Sequence, residues 1–235
     1  MPLNIKVDNP SAYAGAVLQY VPTQAELIEA IPGLVGAWNA STLAQSAPVA
    51  AWPAQYGTGN ASQSITARQP TAGMADDRPV IRNGAMSKNI VVDHTFTPGA
   101  VLTAGARFKI EDTAQDFQAV FGANAVGTNA WRLLYRIAGN FQFDITSDLN
   151  AAGAATPGWH TVLVMQSADT TRMLIDGVLF TGANVPVAVT QMIIGASSNT
   201  GTANSFLGAI SKFLVAEANI YGTEHQATAL AFLNS

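Results

Sequence analysis

The chain has 235 residues, 49% hydrophobic and only 11% charged, with a formal net charge of −4. An ordinary globular domain carries about 25% charged residues, so this surface is expected to be dressed with small and neutral polar side chains, or covered in part by partners, since interface cores are poor in charge. The 11 Lys and Arg are scattered without a basic run, which argues against nucleic-acid binding, and the absence of Cys removes disulfides and thiolate metal sites.

Taken in chain order, the N-terminus MPLNIKVDNP has no basic segment leading into an apolar one, which argues against a signal peptide. No apolar run approaches the roughly 18 residues of a membrane-spanning helix. Residues 1–22 read as an arm, in which Leu3, Ile5 and Val7 alternate with Asn4, Lys6 and Asp8 at the period of a half-buried strand. Such an arm either pairs with its own body or adds a strand to a neighbour's sheet edge. Thr23 to Glu26 is a capping box that predicts a short helix through Ile31, stopped by Pro32-Gly33. The arm and helix thus occupy 1–32, and one body fills 33–235.

From Leu34 onward the pattern is all-β. Strands are expected at Leu34–Trp38, Pro79–Arg82, Asn89–Val92, Val101–Ile110, Gln118–Gly122, Ala130–Ile137, Asn140–Thr146, Trp159–Ser167, Thr171–Ile175, Gln191–Gly195 and Leu207–Ala216. Short strands punctuated by Gly, Asn, Asp and Thr predict an antiparallel sandwich or barrel. Between Asn39 and Arg78 the periodicity is weak, which predicts a long surface excursion tied down by Trp52 and Tyr56.

Two hairpins are readable in detail. A three-residue loop at Ala138-Gly139-Asn140 would pair Ile137 with Phe141, Tyr135 with Phe143 and Leu133 with Ile145. That register puts the aromatic series on the core face and Arg132 and Arg136 on the other, beside Gln142 and Asp144. From Gly158 to Gly182 two antiparallel strands lead through Asp176-Gly177 into a third, because a type I′ turn needs φ > 0 at both central residues. The chain closes on a helix that Thr223 would cap, with Ala227, Leu230, Ala231 and Leu233 as its apolar stripe, packed across one end of the body.

The order of these pieces resembles the concanavalin A-like lectin/glucanase superfamily, in its laminin-G-like jelly-roll branch. The likeness rests on GLVGAWNAS at 33–41, VAAW at 49–52 with GTGNA at 57–61, and RPVIRNG at 78–84. GWHTV at 158–162 with Asp176-Gly177, IIG at 193–195, FLGAI at 206–210 and the closing helix from Tyr221 to Leu233 complete it. The resemblance implies a jelly-roll β-sandwich over residues 33–235. Two departures remove carboxylates that could hold a cation: Ala54-Gln55-Tyr56 follows Trp52 where an acid is frequent, and Asn83 stands where an Asp is common.

The family's glucanase branch carries E-x-D-x-x-E on one strand, a pattern missing here. Glycoside hydrolysis needs a carboxylate pair, and the nearest acids, Glu111, Asp112 and Asp116, read as a solvated turn. No catalytic residue is therefore assigned and no enzyme expected. His94, His160 and His225 lack zinc spacing, so no metal ligand and no cofactor is assigned. Two acidic groups, Asp144–Asp148–Asn150 and Asp76–Asp77, are calcium candidates but read first as plain loops. Trp52 and Tyr56 are the candidates for sugar stacking, against a role in pinning their segment. Two functions follow. The first is a non-enzymatic subunit of a larger, self-associating assembly, such as a bacteriophage virion protein (capsid decoration or tail-associated) located in the virion. There, Leu3, Ile5 and Val7 would make the subunit contacts. The alternative is a glycan-binding, lectin-like module or adhesin contacting cell-surface glycans. Neither involves nucleic acid or membrane insertion.

Overall fold

A computed structural model describes residues 20–83, 88–97, 101–111, 115–125, 131–144, 148–183, 189–197 and 205–235. The arm residues Leu3, Ile5 and Val7 lie outside them. The first element is α1 (Gln24–Glu29), opened by the expected capping box: the Glu26 N–H donates to Thr23 Oγ1 at 3.3 Å, and the Thr23 N–H donates to Glu26 Oε2 at 2.8 Å.

The strands are β1 (Leu34–Asn39), β2 (Ala51–Pro53), β3 (Tyr56–Gly57), β4 (Asn60–Ser62), β5 (Thr71–Ala75), β6 (Arg78–Arg82), β7 (Ile90–Asp93), β8 (Thr103–Ile110) and β9 (Gln118–Ala125). They continue with β10 (Trp131–Arg136), β11 (Asn140–Asp144), β12 (Leu149–Ala151), β13 (Gly158–Gln166), β14 (Thr170–Ile175), β15 (Val178–Ala183), β16 (Val189–Ile194) and β17 (Ala209–Ala216), before the closing helix α2 (Glu224–Asn234). They form two antiparallel sheets. The first runs β15-β14-β13-β8-β17-β1-β3, with β6 also on β17 and β5 on β6; the second runs β12-β11-β10-β9-β16-β7-β4-β2. This is the expected all-β sandwich with a short helix near each end of the described chain. No described helix is long and apolar enough to cross a membrane.

The core between the sheets is aromatic. Trp38 and Phe213 of the first sheet meet Phe121 and Trp131 of the second, and Phe108 packs edge-on against Phe141 and Phe206. A second core lies on the outer face of the first sheet. There Leu163, Met165, Leu174 and Leu214 are buried beneath Ile28 of α1 and Ala229, Phe232 and Leu233 of α2. The alternation of strand side chains explains both: Ala104, Ala106 and Phe108 point inward, while Gly105, Arg107 and Lys109 point outward.

Four expectations are corrected. The stretch from Asn39 to Arg78 is not a surface excursion, because it supplies β2 and β4 to one sheet and β3 and β5 to the other. Its strands are too short to show periodicity. In the hairpin of β10 and β11, Tyr135 faces Phe141 and Leu133 faces Phe143, so the register lies two residues from the expected one. Gly139, at φ +77°, takes the left-handed third position of a loop at 137–139, and its N–H donates to Arg136 O. The shift is even, so the same aromatic face stays inward, while Ile137 is left on the loop, 55% exposed. Third, α2 lies across the outer face of the first sheet rather than at an end. Its buried residues are Ala229, Phe232 and Leu233, with Ala227 and Ala231 exposed. Fourth, the Thr223 side chain does not cap α2: its hydroxyl donates to Ile220 O at 2.7 Å.

Candidate functional site

The aromatic candidates are separated by the fold. Trp52, in β2, is fully buried in the main core, and its Nε1 donates to Asn39 O at 3.2 Å. That is the pinning role, and it leaves no ring face for a sugar. Tyr56, in β3, is half-buried and edge-on to Phe232 of α2.

The acidic candidates are engaged with neighbours. Glu111 pairs with Arg82 at 2.7 Å; Asp112 lies outside the described residues. Asp116 pairs with Arg136 at 3.0 Å and accepts the Ile137 N–H. Asp144 pairs with Arg132; burial raises its carboxyl above the ordinary range and nearby Asp148 adds to this, while Arg132 opposes. Asn150 is on β12, opposite Gln142. Asp76 and Asp77 form the turn between β5 and β6, both at positive φ, and Asp76 accepts from Lys109 Nζ and Trp159 Nε1, each at 3.0 Å. His94 meets Glu217 at 3.3 Å. Among the described residues no three His, Asp or Glu side chains converge as metal ligands. Asn83, where the resembled family has an acid, is buried and donates from Nδ2 to Gly195 O at 2.7 Å, a bond no carboxylate could make.

His160 and Asp176 make a structural node. The buried His160 packs on Phe108 and Phe141, with Nδ1 2.7 Å from Asp176 Oδ2 and Nε2 2.7 Å from Thr156 O. Burial alone would raise the Asp176 carboxyl, but its bonds with His160 and the Thr161 N–H outweigh this and hold it below its ordinary value.

The arrangement that sequence reasoning missed lies on the outer face of the first sheet, where α2 ends. Trp159 of β13 packs against Val80 and Ala209, and its ring centroid lies 5.7 Å from the Arg78 Cζ and 5.5 Å from the Arg107 Cζ. Arg107 donates from Nη1 to Thr161 Oγ1 at 2.8 Å. Lys212, opposite Arg107 on β17, is buried and donates from Nζ to Phe232 O at 2.8 Å and Ser235 O at 2.7 Å, securing the last carbonyls of α2. Burial, then the charges of Arg78 and Arg107, lower its pKa to about 8. Burial, then Arg78, also lowers that of Arg107.

Two hollows adjoin this last helical turn. One, of about 300 Å³, is lined by Asn39, Ser41, Asp77, Arg78, Ser211 and Lys212 among others. The other, of about 360 Å³, is lined by Arg107, Thr161, Asp176, Leu230 and Asn234 among others. Both are walled by strand, turn and helix residues, and each contains one aspartate, Asp77 in the first and Asp176 in the second. The sequence did carry a trace of this site: Lys212 within AISKFLVA and Arg107 within TAGARFKI are charges inside otherwise apolar strands.

No family model matches this chain, and no curated protein matches it. Among solved structures it is similar to a Trypanosoma rangeli sialidase in complex with sialic acid, with 13% identity, a TM-score of 0.61, and 86% of this chain and 33% of that one covered. The same sialidase with the inhibitor DANA aligns over 94% of this chain and 34% of that one, with 13% identity and a TM-score of 0.55. The chain therefore spans about a third of the sialidases it matches, and the likeness is one of fold. The Ruminococcus gnavus IT-sialidase CBM40 bound to α2,3-sialyllactose aligns over 56% of this chain and 82% of its own, with 15% identity and a TM-score of 0.44.

Proposed function

We propose that this chain is a non-catalytic glycan-binding module of lectin type, whose ligand lies in the two hollows beside the end of α2. The observation that carries this reading is their lining. Asn39, Ser41, Ser211, Thr161 and Asn234 bring polar side chains to them from β1, the 3-10 turn after it, β17, β13 and the end of α2, as a polyhydroxylated ligand requires, although the Ser211 and Thr161 hydroxyls already donate to Arg107 O and Asn234 Oδ1. The sandwich fold shared with part of a sialidase supports it. A hydrolytic role would need two carboxylates flanking one bond. Each hollow offers one aspartate, and Asp176 is already bonded to His160 and Thr161. The test is a glycan array of neutral and acidic saccharides, read with and without calcium. Binding is expected, and Asn234→Ala is expected to weaken the best interaction about tenfold, the equivalent of one hydrogen bond. An empty array in both conditions overturns the reading.

A second reading, a structural subunit of a larger assembly such as a phage virion, is supported by two observations. Only 11% of residues are charged. The outermost strand β15 exposes Val178 and Leu179, with no strand beyond it among the described residues. On this reading the purified protein self-associates, and sedimentation velocity finds oligomers that Leu179→Lys dissolves. A compact monomer at high concentration argues against it.

A further inference from the structure

Acids outnumber bases in this chain, 15 to 11, so a base that needs a carboxylate has a choice of partners. Arg82, Lys109, Arg132 and Arg136 each form an ion pair. Arg78 and Arg107 form none among the described residues. They sit instead over the same Trp159 ring, at 5.7 and 5.5 Å. The buried Nζ of Lys212 adds a third positive charge, and its hydrogen bonds go to Phe232 O and to the main-chain and hydroxyl oxygens of Ser235.

Three like charges on one face repel each other, two of them are partly desolvated, and Asp176 offsets the charge of Arg107 only in part. Repulsion and desolvation are both unfavourable for the protein on its own. One donor is also left over: Arg107 Nε is buried and has no hydrogen-bond partner. Unpaired buried donors are rare, and each calls for an explanation. Trp159 fixes the pair, because its indole is itself held by Asp76, which is held in turn by Lys109. Two guanidinium groups fixed over one ring, with donor capacity unspent, suit an oxyanion, which accepts from two planar donors at once.

We propose that Arg78 and Arg107, one in each hollow, form a receptor for an oxyanion, and that the ligand of the two hollows is an acidic saccharide bearing a carboxylate or a sulfate ester. The inference rests on the glycan-binding reading and narrows its ligand class. The anion neutralises the pair and relieves the field on Lys212. The Ser41 hydroxyl and Asn234 Nδ2 are left for hydroxyl groups, while Thr161 Oγ1 stays between Arg107 Nη1 and Asn234 Oδ1.

The experiment is calorimetry on the full chain with matched probes: a neutral oligosaccharide, its uronic-acid counterpart, its sulfated counterpart, and free acetate and sulfate. Acidic saccharides are expected to bind at least about tenfold more tightly than the neutral one, with affinity falling as salt rises. Arg78→Ala and Arg107→Gln are each expected to remove that advantage. Lys212 supplies a readout in the unaltered protein: titrated by NMR, its pKa is expected to rise from about 8 when the acidic ligand or free sulfate binds. Equal affinity for neutral and acidic saccharides, with Lys212 unmoved, overturns this inference and leaves the glycan reading intact. Binding of free sulfate or acetate without any saccharide overturns the glycan reading and retains the oxyanion receptor. No binding of any probe overturns both.

Discussion

Asp176 holds two positions at once. Its backbone, at φ +48°, is the first residue of the type I′ turn into β15, with Gly177 following at φ +87°. Its carboxylate joins that turn to β13 through His160 Nδ1 and the Thr161 N–H. Asn tolerates the left-handed backbone almost as well as Asp, so Asp176→Asn removes the charge and keeps the turn. The loss expected at neutral pH is about 1.5–3 kcal/mol, the range for a hydrogen bond to a charged group. The carboxyl lies below its ordinary 3.8 in the folded chain. Its contribution is therefore fully present above that value and is lost as pH falls through the folded pKa. Urea unfolding of both proteins should show a gap in stability at pH 7 that narrows below about pH 4. A gap that persists undiminished to pH 2.5 would mean the carboxylate's bonds do not hold the hairpin.

At the scale of elements, legibility followed the length of the periodic run. Strands such as β8, β13 and β17 run for eight or nine mostly apolar residues and were readable. β2, β3 and β4 span three, two and three residues, too few for a period to appear, and their place in the sheets is set by tertiary pairing. The Asp176-Gly177 turn was readable because Gly marks φ > 0. The turn at Asp76-Asp77 has the same left-handed pair, at +45° and +61°, but without Gly it read as loose acids. The site fared worse than the fold for a related reason. Outward placement of Arg107 and Lys109 follows from alternation within β8. Nothing local brings Arg78 beside Arg107, since β6 and β8 meet only through β17, which arrives at the end of the chain. Trp52 left both a pinning and a stacking role open, because a lone aromatic in an unpatterned stretch gives no clue to its face; its full burial gives it the first.

The molecule as a whole has three layers rather than two, and the third depends on one glycine. The helix layer is seated on the outer face of the first sheet where Gly105 of β8 has no side chain. A Cβ there would lie 2.8 Å from Leu233 Cδ1 of α2, 2.8 Å from Leu163 Cδ1 and 2.9 Å from Val162 O on the adjoining strand. The two leucine contacts are flexible tips, but the carbonyl belongs to the β8–β13 ladder and cannot turn aside. Gly105→Ala therefore forces the helix outward and strains the ladder, at about 1–3 kcal/mol for overpacking. Coupling identifies the cause. If α2 rests on Gly105, the alanine costs less in a Leu233→Ala background, because one of its three clashes is gone, while the clash with Val162 O keeps the rescue partial. Additive losses in chemical unfolding would show that the helix layer does not bear on this point. Because Lys212 and Asn234 tie the same last turn to the cationic face, lifting α2 should also weaken ligand binding in the adjoining hollows. A Gly105→Ala protein that loses stability yet binds at full affinity would separate the helix layer from the site.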